Sequence, residues 1–288
     1  MSKSNLLSYY KQLVISLEND ELSERQISIL AESMEKLLAN PFKYEHCYLA
    51  AAAGDIEEMK KMHQAGFELT TLVEHANDHY EYYSTTAAAE NGHLECLKYA
   101  FENDCEWDEL TTSRAALGGH IDCLKYAHEN GCDCDESTTS KAAENGHLDC
   151  LRYAHENGCP WDEWTPAKAA LNGHLDCLRY ARKNGCAWDV GTTNDAARNG
   201  HFNCLRFAHK NGCEWGKYTA FVAAWGGHLD CLRYLIENGC PFDTKNKYIV
   251  EKVKQVTADI ETTKNIMTTS LENQLSNNVL NHVINKFV

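Results

Sequence analysis

Histidines and cysteines recur along this chain at spacings that suggest metal binding or a nucleophile–base pair. A Gly-His pair returns at His93, His120, His147, His174, His201 and His228. Three residues after each comes a cysteine: Cys96, Cys123, Cys150, Cys177, Cys204 and Cys231. A second column runs through Cys105, Cys132, Cys159, Cys186, Cys213 and Cys240, leaving only Cys47 and Cys134 of the 14 cysteines outside both. One His and two Cys per period invite a zinc reading, but the spacing argues against it. Copies in successive repeats sit on stacked helices about 8–10 Å apart, too far for one metal with Zn–S near ~2.3 Å. They also exceed the roughly 7 Å Cα limit of a disulfide. Within a repeat the two columns are nine residues apart, most of a helix at about 1.5 Å per residue. The expectation is reduced, buried thiols acting as small hydrophobes, with no metal and no cofactor. Cys132-Asp133-Cys134 is the one local pair, and a reactive or metal-binding role stays open there.

Catalysis fares no better. Six equivalent histidines cannot all be one general base, and the chain has no Gly-rich phosphate loop, nucleophile elbow or His-Glu-x-x-His. The His column reads as structural, bridging the turn between two helices through its ring nitrogens. Tyr99, Tyr126, Tyr153, Tyr180, Phe207 and Tyr234 read as packing between repeats. Acid pairs such as Asp135-Glu136 and Asp162-Glu163 read as solvated loops. A net charge of −15 speaks against a sequence-independent grip on nucleic acid. The first residues hold no signal-peptide core, and no stretch approaches the roughly 20 apolar residues of a membrane span. A reducing cytoplasm is the expected compartment.

The elements that carry these columns follow from a period of 27 residues, held from His93 to His228 without a gap. Self-similarity at such a period marks a solenoid, whose faces are buried only by stacking. Around Thr165 the spacing predicts a two-turn helix that starts at Thr165-Pro166 and ends at Gly173. Its Ala169-Ala170 pair returns in every regular repeat and lets helices approach closely. A second helix runs from about Leu175 to Asn184, with Leu175, Cys177, Leu178 and Ala181 on one face. Gly185 closes it, and Asp104 takes that left-handed position in the first regular repeat. Only six residues, Cys186 to Gly191, cross to the next pair, leaving little room for paired strands. Trp188 and its counterparts Trp107, Cys134, Trp161, Trp215 and Phe242 are expected to seal the seam between repeats.

The string Gly-His-Leu-Asp-Cys-Leu-Arg-Tyr-Ala-His-Glu-Asn-Gly-Cys-Pro-Trp-Asp, residues 146–162, resembles the second-helix segment of the ankyrin consensus. Thr165-Pro166 and Ala169-Ala170 resemble its Thr-Pro-Leu-His and Ala-Ala elements. The repeat is shortened from 33 residues to 27, mostly at the β-hairpin, a form similar to that of giant viruses and their protist hosts. The resemblance implies an all-α, ankyrin-like solenoid of about seven stacked helix pairs over residues 43–243, with helical caps at 1–42 and 244–288. A diverged repeat around Ala50–Met59 precedes the regular six, and an insertion near 70–83 carries either a longer finger or an extra helical turn. The apolar pattern of 244–288 fits a capping helix followed by a second helix, or a segment for self-association or partner recruitment in an otherwise monomeric protein.

Such a chain is expected to be a non-catalytic scaffold for an unidentified protein partner. The alternative is an adaptor that recruits its partner to a larger assembly such as a ubiquitin ligase. Ankyrin-type proteins contact partners at the end of the first helix and in the adjoining loop, and those columns vary here. They include Leu117, Glu144, Leu171, Arg198 and Trp225 after the Ala pair, and Trp164 and Tyr218 before the helix-start column. Trp164 and Trp225 fit either partner anchors or extra seam packing.

Overall fold

The structure, a computed structural model, describes residues 43–262 apart from 45, 76, 77 and 109, together with 265, 268 and 269. The expected cap at 1–42 and the second run of the tail lie outside the described residues. Two compact units divide the chain, one ending at Trp161 and one beginning at Asp162.

In the first unit, helix pairs form at α1 (Cys47–Ala52) and α2 (Ile56–Gln64), α3 (Ser84–Glu90) and α4 (Leu94–Glu102), α5 (Thr111–Gly118) and α6 (Ile121–Glu129), and α7 (Glu136–Glu144) and α8 (Leu148–Glu156). The second unit holds α9 (Trp164–Leu171) and α10 (Leu175–Lys183), α11 (Val190–Arg198) and α12 (Phe202–Lys210), α13 (Thr219–Trp225) and α14 (Leu229–Glu237). A last helix, α15, covers 247–262. Within each unit the first helices of successive pairs pack in series and the second helices form a parallel layer. The Ala pairs explain the close first layer: Ala88, Ala89, Ala115, Ala116, Ala142 and Ala143 in one unit, and Ala169, Ala170, Ala196, Ala197, Ala223 and Ala224 in the other, are fully buried. Leu97, Leu124 and Leu151, and then Leu178, Leu205 and Leu232, fill the space between layers.

The insertion is a finger. β1 (Thr70–His75) pairs antiparallel with β2 (Asp78–Tyr83), from Thr70 opposite Tyr83 to His75 opposite Asp78. Among the described residues the crossings between the regular repeats carry no strand. Left-handed backbone closes the helices as expected, at Gly173 (φ 80°), Gly185 (φ 84°) and the non-glycine Asp104 (φ 63°).

Helix starts correct the sequence reading. α9 begins at Trp164, and Thr165 is wholly buried within its first turn. The capping acceptor is an aspartate column further upstream. Asp108 accepts from the Leu110 N–H at 3.0 Å, Asp135 from Ser137 and Thr138, Asp162 from Trp164 at 3.0 Å, and Asp189 from Gly191 at 2.8 Å. Asp135 and Asp162 are therefore caps rather than idle loop acids, because free N–H groups in the first turn need an acceptor. The Thr165 column is buried, and the threonines one residue further on tie their helix to the crossing that leaves the same repeat. Thr85 donates to the Glu106 carbonyl at 3.0 Å, Thr112 to Asp133, Thr139 to Pro160 and Thr193 to Glu214, each at 2.9 Å.

At the far end, α15 buries Ile249 and Val256, and the Tyr248 hydroxyl donates to the Ala224 carbonyl at 3.0 Å. Leu235, which replaces the usual alanine, is fully buried. Among the described residues no helix is long and apolar enough to cross a membrane.

Candidate functional site

Each first helix buries its Thr and Ala columns and turns one stripe outward. The two variable columns are seven residues apart, about two helical turns, so they and the residue between them share that stripe. In the second unit the stripe reads Trp164, Lys168 and Leu171 on α9, Gly191, Asp195 and Arg198 on α11, and Tyr218, Val222 and Trp225 at α13. Trp164 is 60% exposed, Tyr218 59% and Trp225 70%. Arg198 is exposed and Leu171 half-buried. The two indoles belong to no packing column and are left in solvent. Asp195 lies at the middle of this stripe. Partial burial pushes its carboxyl above the ordinary range, with Lys168 and Arg198 pulling the other way.

In the first unit the corresponding positions are more covered. Leu117 and Glu144 are half-buried. Glu144 takes an ion pair from Lys141 at 2.8 Å, and Glu90 one from Arg114 at 3.5 Å.

The histidines of the Gly-His pairs bridge successive repeats, not the two helices of one. Five of these rings lie over the left-handed glycine of the preceding repeat: His93 on Gly54, His120 on Gly92, His147 on Gly119, His201 on Gly173 and His228 on Gly200. The His120 ring also bonds the Glu90 backbone, and burial holds its pKa below the usual imidazole value. The first cysteine column is inert. Burial raises Cys96, Cys123, Cys204 and Cys231 to about 11 and Cys177 to about 12, so the thiolate form is negligible near neutral pH.

A further column, not singled out in the sequence, sits at the next-to-last residue of the second helix. Its members stack on the Trp column of their own repeat. Phe101 lies 4.3 Å from Trp107, His155 3.7 Å from Trp161 and His209 3.8 Å from Trp215, while the Arg182 guanidinium stands 4.4 Å over Trp188. Across the seam, His209 meets the Tyr234 hydroxyl at 2.8 Å, His128 that of Tyr153 at 3.3 Å and His63 that of Tyr99 at 3.0 Å. Trp107 also meets Tyr126 of the next repeat at 6.4 Å and Trp188 meets Phe207 at 6.2 Å, so these Trp and Tyr-column rings close seams, as expected.

Cys134 overturns the uniform thiol picture. It is bonded to Cys159 of the next repeat, with 5.5 Å between Cα atoms and 25 residues between them in sequence. The distance argument failed because it compared copies 27 residues apart, whereas neighbours across a seam lie 24–25 apart. Cys132 does not act with Cys134; it stays free, its thiol facing the Asp108 carbonyl at 3.7 Å. His128, Cys134 and Cys159 bring three potential ligand atoms within 4.8 Å of one another. A cleft of about 400 Å³ beside Trp215 is lined by His209, Gly212, Cys213 and Glu214. Its histidine is already engaged by Trp215 and Tyr234.

A family model described as ankyrin repeats (3 copies) matches residues 112–194, and one described as ankyrin repeats (many copies) matches 86–128. Residues 86–194 are ankyrin repeats. The same columns of Gly, His, Cys and Ala recur to residue 240. Among solved structures, the ankyrin repeat domain of human ASB11 aligns with a TM-score of 0.49 and 19% identity, over 58% of this chain and 84% of that one. No curated protein matches the chain. Ankyrin repeats indicate a scaffold for protein–protein interaction.

Proposed function

We propose that the chain binds a protein partner on the outward stripe of α9, α11 and α13, without chemistry of its own. The observation that carries this reading is the exposure of Trp164, Tyr218 and Trp225 on helices whose other columns are buried. Aromatic side chains left in water on a rigid scaffold gain free energy when a partner covers them, and such residues dominate interface energetics. Leu171 supplies apolar area beside them, and Arg198 and Asp195 supply charges of both signs. Leu117 and Glu144 lie on the first unit and are not part of this stripe. Absence of catalysis is supported by the engagement of the histidine rings in packing and by the raised thiol pKa values.

The finer adaptor reading rests on the tail. Burial of Ile249 and Val256 supports a capping role for 247–262, so recruitment of a larger assembly would fall to residues beyond it.

The test compares the intact chain with a Trp164→Ala/Trp225→Ala variant as bait in a cell lysate. A protein retained by the intact chain and lost by the variant, with thermal unfolding unchanged, supports the stripe as the docking face. Equal retention by both places the partner elsewhere.

A further inference from the structure

One repeat breaks the aromatic stack that its neighbours share. Phe101, His155, Arg182 and His209 each lie on a tryptophan of their own repeat. His128 holds the same place in α6, yet the tryptophan column there is Cys134. The cysteine turns across the seam to Cys159, whose column elsewhere consists of free thiols facing backbone carbonyls: Cys186 toward Asp162 at 3.2 Å and Cys213 toward Asp189 at 3.1 Å. The substitution thus removes a ring and assembles an imidazole and two sulfurs.

We propose that His128, Cys134 and Cys159 form a redox-gated site for a thiophilic divalent cation of the zinc class, available when the Cys134–Cys159 bond is reduced. Two thiolates and one imidazole are a typical zinc donor set. Their ligand atoms lie within 4.8 Å of one another, and a tetrahedral metal with bonds of about 2.3 Å needs its sulfurs about 3.7 Å apart. The sulfurs, bonded to each other in the disulfide, part to that distance on reduction by rotation of the Cys134 and Cys159 side chains. Cys159 is buried, whereas His128 and Cys134 are half-exposed, so the fourth position faces solvent and water. The Tyr153 hydroxyl, 3.3 Å from His128 Nδ1, orients the ring from outside the ligand set.

The two states exclude each other, because neither sulfur is a thiolate while the disulfide stands. A dithiol reductant supplies two electrons and two protons. The S–S bond breaks, Cys134 and Cys159 become thiols, and the reductant leaves as its own disulfide. The cation then displaces both thiol protons and binds the two thiolates with the imidazole. Either link ties two successive repeats, whereas the stacks at the same position elsewhere lie within one repeat.

Cobalt(II) reports thiolate ligation through a sulfur-to-metal charge-transfer band. The intact chain, reduced with a phosphine and freed of it without air, is titrated with Co²⁺ and then with Zn²⁺. The expected result is a single equivalent of Co²⁺ with that band, displaced by Zn²⁺. The band is lost in the oxidised chain, in Cys134→Ser and in Cys134→Trp, and its visible companions shift in His128→Ala. Cys134→Trp restores the residue usual in this column, so it keeps the repeat folded while removing a ligand. A band that persists in Cys134→Trp, or its absence from the reduced chain, overturns the proposal.

Discussion

The His120 ring lies so close over Gly92 that a Cβ on that glycine would clash with Nδ1. The glycine therefore answers two demands, a left-handed backbone (φ 78°) and room for the next repeat's imidazole. Gly131 meets only the first: its φ is 87°, and a Cβ there would have nothing within 4 Å. Gly131→Ala should cost about 1–2 kcal/mol for the backbone alone. Gly92→Ala adds about 1–3 kcal/mol of overpacking. Denaturant unfolding of both variants separates the terms, and equal losses would show that the His120 ring yields freely.

Asp104 is the complementary case. It is the non-glycine residue at positive φ among the described residues, in a column otherwise held by glycine from Gly131 to Gly239. Asp104→Gly should raise stability by about 1 kcal/mol, since the left-handed region costs glycine nothing sterically. A melting temperature at or below that of the parent chain would refute this.

Period, turn positions, Ala pairs and the unusual Asp104 were legible in the sequence because each is a local demand repeated at one spacing. Pairing across a seam was not. It brings together different columns, such as His209 with Tyr234 and Cys134 with Cys159, both 25 residues apart, so comparing copies of one column could not find it. Helix caps were misplaced for a related reason: Thr165 and Asp162 are both good capping residues, and only burial of the threonine decides between them. On the candidate docking face, variation marked the two columns. Their union into one stripe follows from helix geometry, but the exposure of Trp164 and Trp225 needed the structure.

Asp195 gives the stripe a pH dependence. Its carboxyl pKa is raised, chiefly by burial, so the folded chain holds this proton more tightly than the unfolded one. The stabilisation from protonation is complete below the unfolded value of about 3.9 and is lost as pH rises through the higher folded value. Asp195→Asn, which cannot ionise, should match the parent at low pH and exceed it in stability at neutral pH. The difference between the two chains, measured by urea unfolding across pH 3–8, cancels the carboxylates they share. A variant less stable at neutral pH would mean that attraction from Lys168 and Arg198 outweighs burial.

The indoles divide into two classes with opposite expected behaviour. Trp107 donates its Nε1–H to the Asn130 carbonyl at 3.0 Å and stacks on Phe101 at 4.3 Å. Trp107→Ala therefore removes both a seam hydrogen bond and a ring contact, and should cost about 2 kcal/mol, below the loss for a fully buried ring. Trp225, 70% exposed at the end of α13, gives up little packing when truncated, and Trp225→Ala should stay within about 0.5 kcal/mol of the parent. Trp164→Ala, at 60% exposure, should behave the same way. Thermal unfolding ranks the three variants without any partner at hand. Should Trp225→Ala or Trp164→Ala fall as far as Trp107→Ala, that indole would be part of the fold, and the docking face would lose its anchor.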